Sequence, residues 1–308
     1  MFDELRKLAE VNGGKLAVVS MDNMRKLKSD MDKYKNEMDA DVRNYLKWIF
    51  DDPEPLDINS SQMQSIIILA MPRPAYAKVT WHTRGKQYKA FSGTTAGAET
   101  TAKIIDAITE AVQTAGFSIN RENRLFLKRM AVQSGLAQYG RNNIAYIDGM
   151  GSAFVLSAFL TDIPCKESPW REPMVSPTCD GCQICETLCP TNAIVSGKFP
   201  IDSHRCLTRL NQGTGDFPEW VPQSAHHTTY YCLMCQARCP MNKGQEIIEM
   251  SFDEEETAYI LDRTSYDEAP DELKRKIARM TGFGKPETIQ RNLRVLFDAM
   301  DNGHVPKL

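Results

Sequence analysis

The stretch CDGCQICETLCPTNAI, residues 179 to 194, places four cysteines and a proline within sixteen positions. No other feature constrains the chain as strongly. Eight of its nine cysteines fall between Cys179 and Cys239, in two groups: Cys179-x2-Cys182-x2-Cys185-x3-Cys189-Pro190, then Cys232-x2-Cys235-x3-Cys239-Pro240. In a reducing compartment such clustering points to metal binding or redox chemistry rather than disulfides. The spacing C-x2-C-x2-C-x3-C-P is that of two-cluster ferredoxins, in which the fourth cysteine serves the other cluster. Two-residue gaps let a tight loop present three thiolates to one cube. The three-residue gap begins a helical turn that points the fourth thiolate away, and proline leaves no N–H unpaired there. Zinc sites use two C-x2-4-C pairs, four ligands in all, and suit three successive cysteines poorly.

The second group is one ligand short, and Cys206 between the groups can fill the gap. One 4Fe-4S cluster would then use Cys179, Cys182, Cys185 and Cys239, and the other Cys189, Cys206, Cys232 and Cys235. Cys165 is left over as a plain buried or loop thiol. Two clusters with interleaved ligands lie close together, which favours a relay of single electrons.

The 308 residues, 42% of them hydrophobic, allow one large domain or two ordinary ones. A net charge of -3 gives no general reason for nucleic-acid binding. The first residues, MFDELRKLAE, do not read as a signal peptide, and the longest apolar run, Ile66 to Met71, is too short to span a bilayer. A cytoplasmic protein with no membrane partner is expected.

Periodicity predicts a helix at FDELRKLAEV, a strand at GKLAVVS, a helix at MRKLKSDMDKYKNEM and a buried strand at SIIILAMP. Helices follow at TAKIIDAITEAVQTAGF, ended by Gly116, and RLFLKRMAVQSG, ended by Gly135. SAFVLSAFL is a central strand or a buried helix. From Pro164 to Pro240 periodicity fades, so something other than an ordinary core organises the chain there. After Cys239 the chain reads as acidic, then helical, with Pro270 and Pro286 at the first turns of two helices. The DEEE run at 253 to 256 is a solvated turn or helix start. The boundaries expected are an α/β domain at 1–165, a cluster segment at 166–245 and a helical C-terminal segment at 246–308 that packs back on the core.

Some 160 residues precede the cluster segment and need a purpose of their own. Here the chain resembles the epoxyqueuosine reductase family, cobalamin- and iron–sulfur-dependent enzymes. The cysteine pattern matches in full, including Cys206 and CPTNAIV. TRGKQYK (83–89) is similar to the family's ARGRDYH, GLAQYGRNN (135–143) to GLGWIGKNT, and GSAFVLSAFLTDIP (151–164) to GSWFFLGEILTDLP. ETIQRNLRVL near the C-terminus is similar to the family's closing RNALVAL helix. The resemblance implies an α+β architecture: a nitroreductase-like α/β domain holding base-off cobalamin, a two-cluster ferredoxin-like domain and C-terminal helices. It places Gly140, Arg141, Asn142, Gly151 and Ser152 on the cobalamin side.

Three departures bear on the chemistry. The family's catalytic aspartate falls on Arg121 here; Glu122 is adjacent and offers a carboxylate as proton donor. Lys89 replaces the family's histidine, while Tyr88 remains, so Arg121, Glu122 and Tyr88 are the catalytic candidates. The acidic C-terminal region suits tRNA phosphates badly. Arg121 and Arg124 could bind an anionic substrate or start a solvated helix, Tyr139 and Tyr146 could line a cofactor pocket or belong to the core, and His226 and His227 read as surface residues.

The function expected is an oxidoreductase passing electrons through two clusters to a cobalamin that reduces an organic substrate, with reduced ferredoxin or flavodoxin as donor. One alternative is an electron-transfer partner that reactivates another corrinoid protein. Another is epoxyqueuosine reduction on tRNA. A reductive dehalogenase-like enzyme would share the cofactors. The substrate class (small molecule, corrinoid protein or tRNA) stays open.

Overall fold

The computed structural model describes residues 1–45, 62–165, 168–262, 268–281 and 286–308. The first half runs α1 (Phe2–Glu10), β1 (Lys15–Ser20), α2 (Met21–Glu37), α3 (Ala40–Tyr45), β2 (Ser65–Pro72), β3 (Tyr76–Thr83), β4 (Lys86–Ser92), α4 (Ala98–Thr114), β5 (Ile119–Arg121), α5 (Leu127–Gln133), a short hairpin of β6 (Gln138–Tyr139) and β7 (Ala145–Tyr146), and β8 (Phe154–Thr161). The cysteine-rich segment holds only short helices: α6 (Ile184–Thr187), α7 (Leu207–Gln212) and α8 (Met234–Ala237). The chain ends with β9 (Ile247–Phe252), α9 (Glu254–Asp262), α10 (Asp271–Thr281) and α11 (Pro286–Asp301).

β2 is the centre of the main sheet, whose order is β1-β2-β8-β5. All its pairings are antiparallel, from Lys15↔Ala70 on one side to Pro72↔Phe154 on the other. Ile66 to Met71 are almost fully buried because both faces are covered. Alternation sends Ile66, Ile68 and Ala70 to one face, where Met24 and Leu27 of α2 and Met130 of α5 meet them. Ile67, Leu69 and Met71 face Leu5 and Ala9 of α1 and Ile104, Ile108 and Val112 of α4. The ambiguous SAFVLSAFL is therefore a strand, β8, seated between β2 and β5.

A second sheet has the order β4-β3-β9. The β3–β4 hairpin turns on Arg84 (φ 53°) and Gly85 (φ 67°), the two left-handed residues that a tight two-residue hairpin requires. β9 departs from the purely helical C-terminal segment read from the sequence: it pairs in parallel with β3, from Tyr76↔Ile247 to Trp81↔Phe252. The Trp81 and Phe252 rings stack at 4.1 Å. The acidic run then starts α9 through a capping box, Glu256 N–H donating to Asp253 Oδ1 (2.8 Å) and Asp253 N–H to Glu256 Oε2 (3.0 Å). Leu273 and Ile277 of α10 and Leu293 and Phe297 of α11 close this third core over Trp81. Within the cysteine-rich segment the apolar core is small, built on Leu207, Ala225 and Cys232. No helix among the described residues is long and apolar enough to cross a membrane.

Phe252 ties the C-terminal segment to the hairpin and is fully buried. Phe252→Ala should cost about 3–5 kcal/mol of unfolding free energy, measured by denaturant titration. A loss under about 1 kcal/mol would mean that β9 does not anchor that segment.

Candidate metal centre

Four cysteines from the two groups line one small pocket: Cys179, Cys182, Cys185 and Cys239. The first three come from a loop that begins at a 3-10 turn (Pro177–Cys179) and ends in α6. Ser176 caps that turn, its hydroxyl accepting the Thr178 N–H at 3.3 Å. Cys239 follows α8, and Pro240 opens the next 3-10 turn. Gly140, Arg141, Asn142 and Tyr146, from the β6–β7 hairpin, form the opposite wall. The Arg141 N–H donates to Cys179 Sγ at 3.4 Å, and the Arg141 guanidinium donates to the Cys179 carbonyl at 2.6 Å.

The remaining four cysteines sit within one another's fields. Burial pushes the Cys232 thiol up to about 12; the Met234 N–H works against this, and Cys206 and Cys189 add to the rise. Burial also pushes Cys235 well up, with Cys232, Cys206 and Cys185 adding to it. The two sets therefore adjoin at Cys185 and Cys235. Cys185 itself is pushed up to about 11 by burial and then by Cys179, Cys239 and Cys182. Cys206 stands at the N-cap of α7, and the Ala193 N–H donates to Cys189 Sγ at 3.2 Å.

This donor chemistry fits a pair of metal–sulfur clusters. Buried thiols that raise one another cannot all ionise without added positive charge, and backbone N–H groups already point at the sulfurs. A single ion needs its ligands to converge on one point, and among the described residues no three His, Cys, Asp or Glu side chains do so. Thiols spaced around a void suit a cube whose corners each take one ligand. Cys165 is apart from both sets, half-buried against the core under α4.

The five residues placed on the cobalamin side are engaged with the cysteine segment. Asn142 Nδ2 donates to the Tyr146 hydroxyl (2.8 Å) and the Cys235 carbonyl (3.1 Å). Ser152 N–H donates to Asn242 Oδ1 (2.7 Å), and Ser152 Oγ bonds Gln236 Oε1 (2.9 Å) and Asn242 Nδ2 (2.8 Å). Gly151, at φ 57°, has no room for a side chain: a Cβ there would lie 2.2 Å from Asn242 Oδ1 and 2.7 Å from the Met241 carbonyl. These residues form a seam between the first domain and the cysteine segment. Among their buried side-chain polar atoms, Arg141 Nε lacks a hydrogen-bond partner and is the group left over for a ligand. Gln236, Asn242 and Gln245 complete the seam, and in the sequence only their polar character, two of them within CPMNKGQ, hints at it.

Tyr146 lines the cysteine cavity, with its hydroxyl raised by burial and then by a hydrogen bond with Cys239. Tyr139 belongs to the core on the α2–α5 face. His226 and His227 are buried, at 5% and 3% exposure, which corrects their reading as surface residues. Burial pushes both imidazoles down to about 4, so both are neutral at pH 7. Phe217 covers His226 edge-on at 4.6 Å, and His304 Nε2 meets its carbonyl at 3.0 Å.

The three catalytic candidates are not gathered at one place. Tyr88 stacks on Phe297 at 4.3 Å and donates to both Asp301 carboxylate oxygens, at 3.0 and 3.1 Å. It is a core residue of the C-terminal unit. Arg121 ends β5 exposed, opposite Phe159. Glu122 is buried beside the other core and grips Arg124, with Oε2 to Nη2 at 2.7 Å, Oε1 to Nε at 3.0 Å and the Arg124 N–H on Oε1 at 2.8 Å. These bonds hold its carboxyl below the usual carboxylate range, in spite of burial. Glu122 is therefore an ionised anchor for Arg124, the opposite of a proton donor at neutral pH.

Architecture and cysteine geometry define an iron–sulfur protein in which a two-cluster module is docked on an α/β domain. Residues 178–242 match the family described as "4Fe-4S double cluster binding domain". The chain resembles epoxyqueuosine reductases in sequence over about half of its length and in fold over nearly all of it. It is 32% identical over 151 residues to the epoxyqueuosine reductase of Aliivibrio fischeri, covering 48% of this chain and 39% of that protein. Identity to that of Lactococcus garvieae is 30% over 188 residues, 58% of this chain and 51% of the relative. The chain thus matches between about two fifths and half of these relatives' lengths. A crystal structure of epoxyqueuosine reductase with an epoxyqueuosine-modified tRNA-Tyr stem loop superposes with a TM-score of 0.69 at 20% identity, covering 98% of this chain and 82% of that one. The Streptococcus thermophilus epoxyqueuosine reductase structure gives 0.64 at 16%, covering 97% and 81%.

Gly151→Ala should loosen the seam at a cost of about 1–3 kcal/mol, read from denaturant titration. A variant as stable as wild type would refute the close contact. Glu122 has a depressed folded-state pKa, so its pair adds stability above the unfolded value and loses it as pH falls through the folded one. Glu122→Gln should therefore be less stable than wild type at neutral pH, with the gap closing in acid. A gap that widens on acidification would reverse the assignment.

Proposed function

We propose that this chain is an iron–sulfur oxidoreductase that relays single electrons through two 4Fe-4S clusters toward its α/β domain, and that the relay serves epoxyqueuosine reduction on tRNA. One cluster would be held by Cys179, Cys182, Cys185 and Cys239, the other by Cys189, Cys206, Cys232 and Cys235. The observation that carries the reading is the cavity that collects Cys239 with the three cysteines some 54–60 residues before it. When bound, the clusters supply one-electron steps and cobalamin, implied by the family resemblance, supplies the cobalt that reduces substrate.

The chain's own residues would do the following. The amides of Arg141 and Ala193 donate to Cys179 and Cys189. Arg141, Asn142 and Tyr146 hold the Cys179 cavity against the α/β domain, making this the side on which electrons leave. The Cys232 set adjoins a cavity lined by Pro190, His227, Met234, Gly303, His304 and Val305. There a reduced ferredoxin or flavodoxin would deliver electrons. The tRNA substrate is supported by the names of the relatives and by the stem loop in the superposed structure.

A second reading is favoured by Glu122. With Arg121 in place of an acid and Glu122 held ionised, the candidates named from the sequence supply no proton to a departing oxygen. The chain would then be the electron partner that restores another corrinoid protein.

Anaerobic reconstitution with iron, sulfide and cobalamin should give about eight irons per chain. Cys179→Ala and Cys206→Ala should each lose about half of that iron, and Cys165→Ala none. Nucleoside analysis of epoxyqueuosine-bearing tRNA should then show reduction with a strong reductant. No conversion, together with reduction of an added corrinoid protein, would establish the second reading. One or two bound zincs and no iron would end both.

A further inference from the structure

We propose that His227 is a positioning residue for the second cluster, holding its potential low by taking a backbone amide away from the sulfurs. The inference rests on the reading that Cys232 is a ligand of that cluster. The imidazole is buried and its partners fix its tautomer. Nδ1 lies 2.7 Å from the Ala225 carbonyl, which only accepts, so Nδ1 carries the hydrogen. Nε2 then bears a lone pair, and the Leu233 N–H donates to it at 3.4 Å. The same lone pair lies 3.8 Å from Cys232 Sγ.

In the two cysteine sets amides donate to sulfur: Arg141 to Cys179, Ala193 to Cys189 and, at Cys232 itself, Met234. Each such bond favours the more negative, reduced state and raises the potential. Leu233 directly follows Cys232, yet its amide is diverted to an imidazole. The lone pair beside Cys232 Sγ adds negative potential of its own. Both effects disfavour the one electron that this cluster takes up, a step in which no bond is made or broken. Ala225, His227 and Leu233 are thereby linked in one buried unit, fixing the loop that presents Cys232.

The test is a potentiometric EPR titration of anaerobically reconstituted protein, mediated by redox dyes. Wild type must first show about eight irons; if it does not, the two-cluster reading fails on its own count. His227→Leu removes the acceptor and should shift one of the two cluster potentials to more positive values, leaving the other in place. His227→Gln keeps an acceptor and a donor amide and should restore a potential near that of wild type. An unchanged or more negative potential in His227→Leu would overturn the inference. Should His227→Leu lose the second cluster, His227→Gln decides alone: a native potential supports the inference, and a shift of either sign or a loss of iron overturns it.

Discussion

A thiolate taken out of water loses hydration that only a nearby positive charge or hydrogen-bond donors can replace, and every further thiolate beside it makes the loss worse. Residues 179–239 gather eight cysteines in two adjoining sets, Cys179 and Cys232 buried and the other six half-buried. The raised thiols of Cys185, Cys232 and Cys235 are the direct expression of that strain. Iron–sulfur cubes relieve it, since metal-bound sulfur is deprotonated outright. The segment around them has short helices and a small apolar core, so ligand bonds take over much of the organising role that packing has elsewhere.

The rest of the molecule is arranged to hold that segment in place. The β2-centred sheet is covered on both faces and gives a rigid platform. Packed on one of its faces, the β6–β7 hairpin carries Arg141, Asn142 and Tyr146 to the Cys179 pocket. The loop before β8 carries Gly151 and Ser152 to Gln236 and Asn242. Cluster sulfur and α/β domain are thus joined by backbone and amide contacts without an intervening solvent layer of side chains. A relay toward the α/β domain depends on such closeness.

The longer helices and the buried strand of the first domain are legible in the sequence from their apolar patterns, as in TAKIIDAITEAVQTAGF and SIIILAMP, whereas β3, β4, β5 and the β6–β7 hairpin are not. The gathering of Cys179, Cys182, Cys185 and Cys239 around one pocket is the arrangement that the gaps suggest. What stayed hidden depends on contacts between distant residues. β9 is only half buried and follows a Gly-containing turn, so nothing local marks it as a partner for β3, about 170 residues earlier. The seam of Ser152, Gln236 and Asn242 joins residues 84 and 90 positions apart. His226 and His227 look like surface residues until Phe217 and His304 cover the loop that carries them. Glu122 offered a carboxylate where an acid was sought, but the adjacent Arg124 determines its charge.

The central claim is that the two cysteine sets hold two iron cubes close enough to share electrons. EPR spectroscopy of the fully reduced, anaerobically prepared protein tests it most directly. Two neighbouring paramagnetic centres should broaden and split one another's signals. A sharp spectrum from one isolated centre, or none from a colourless and folded protein, would contradict the account.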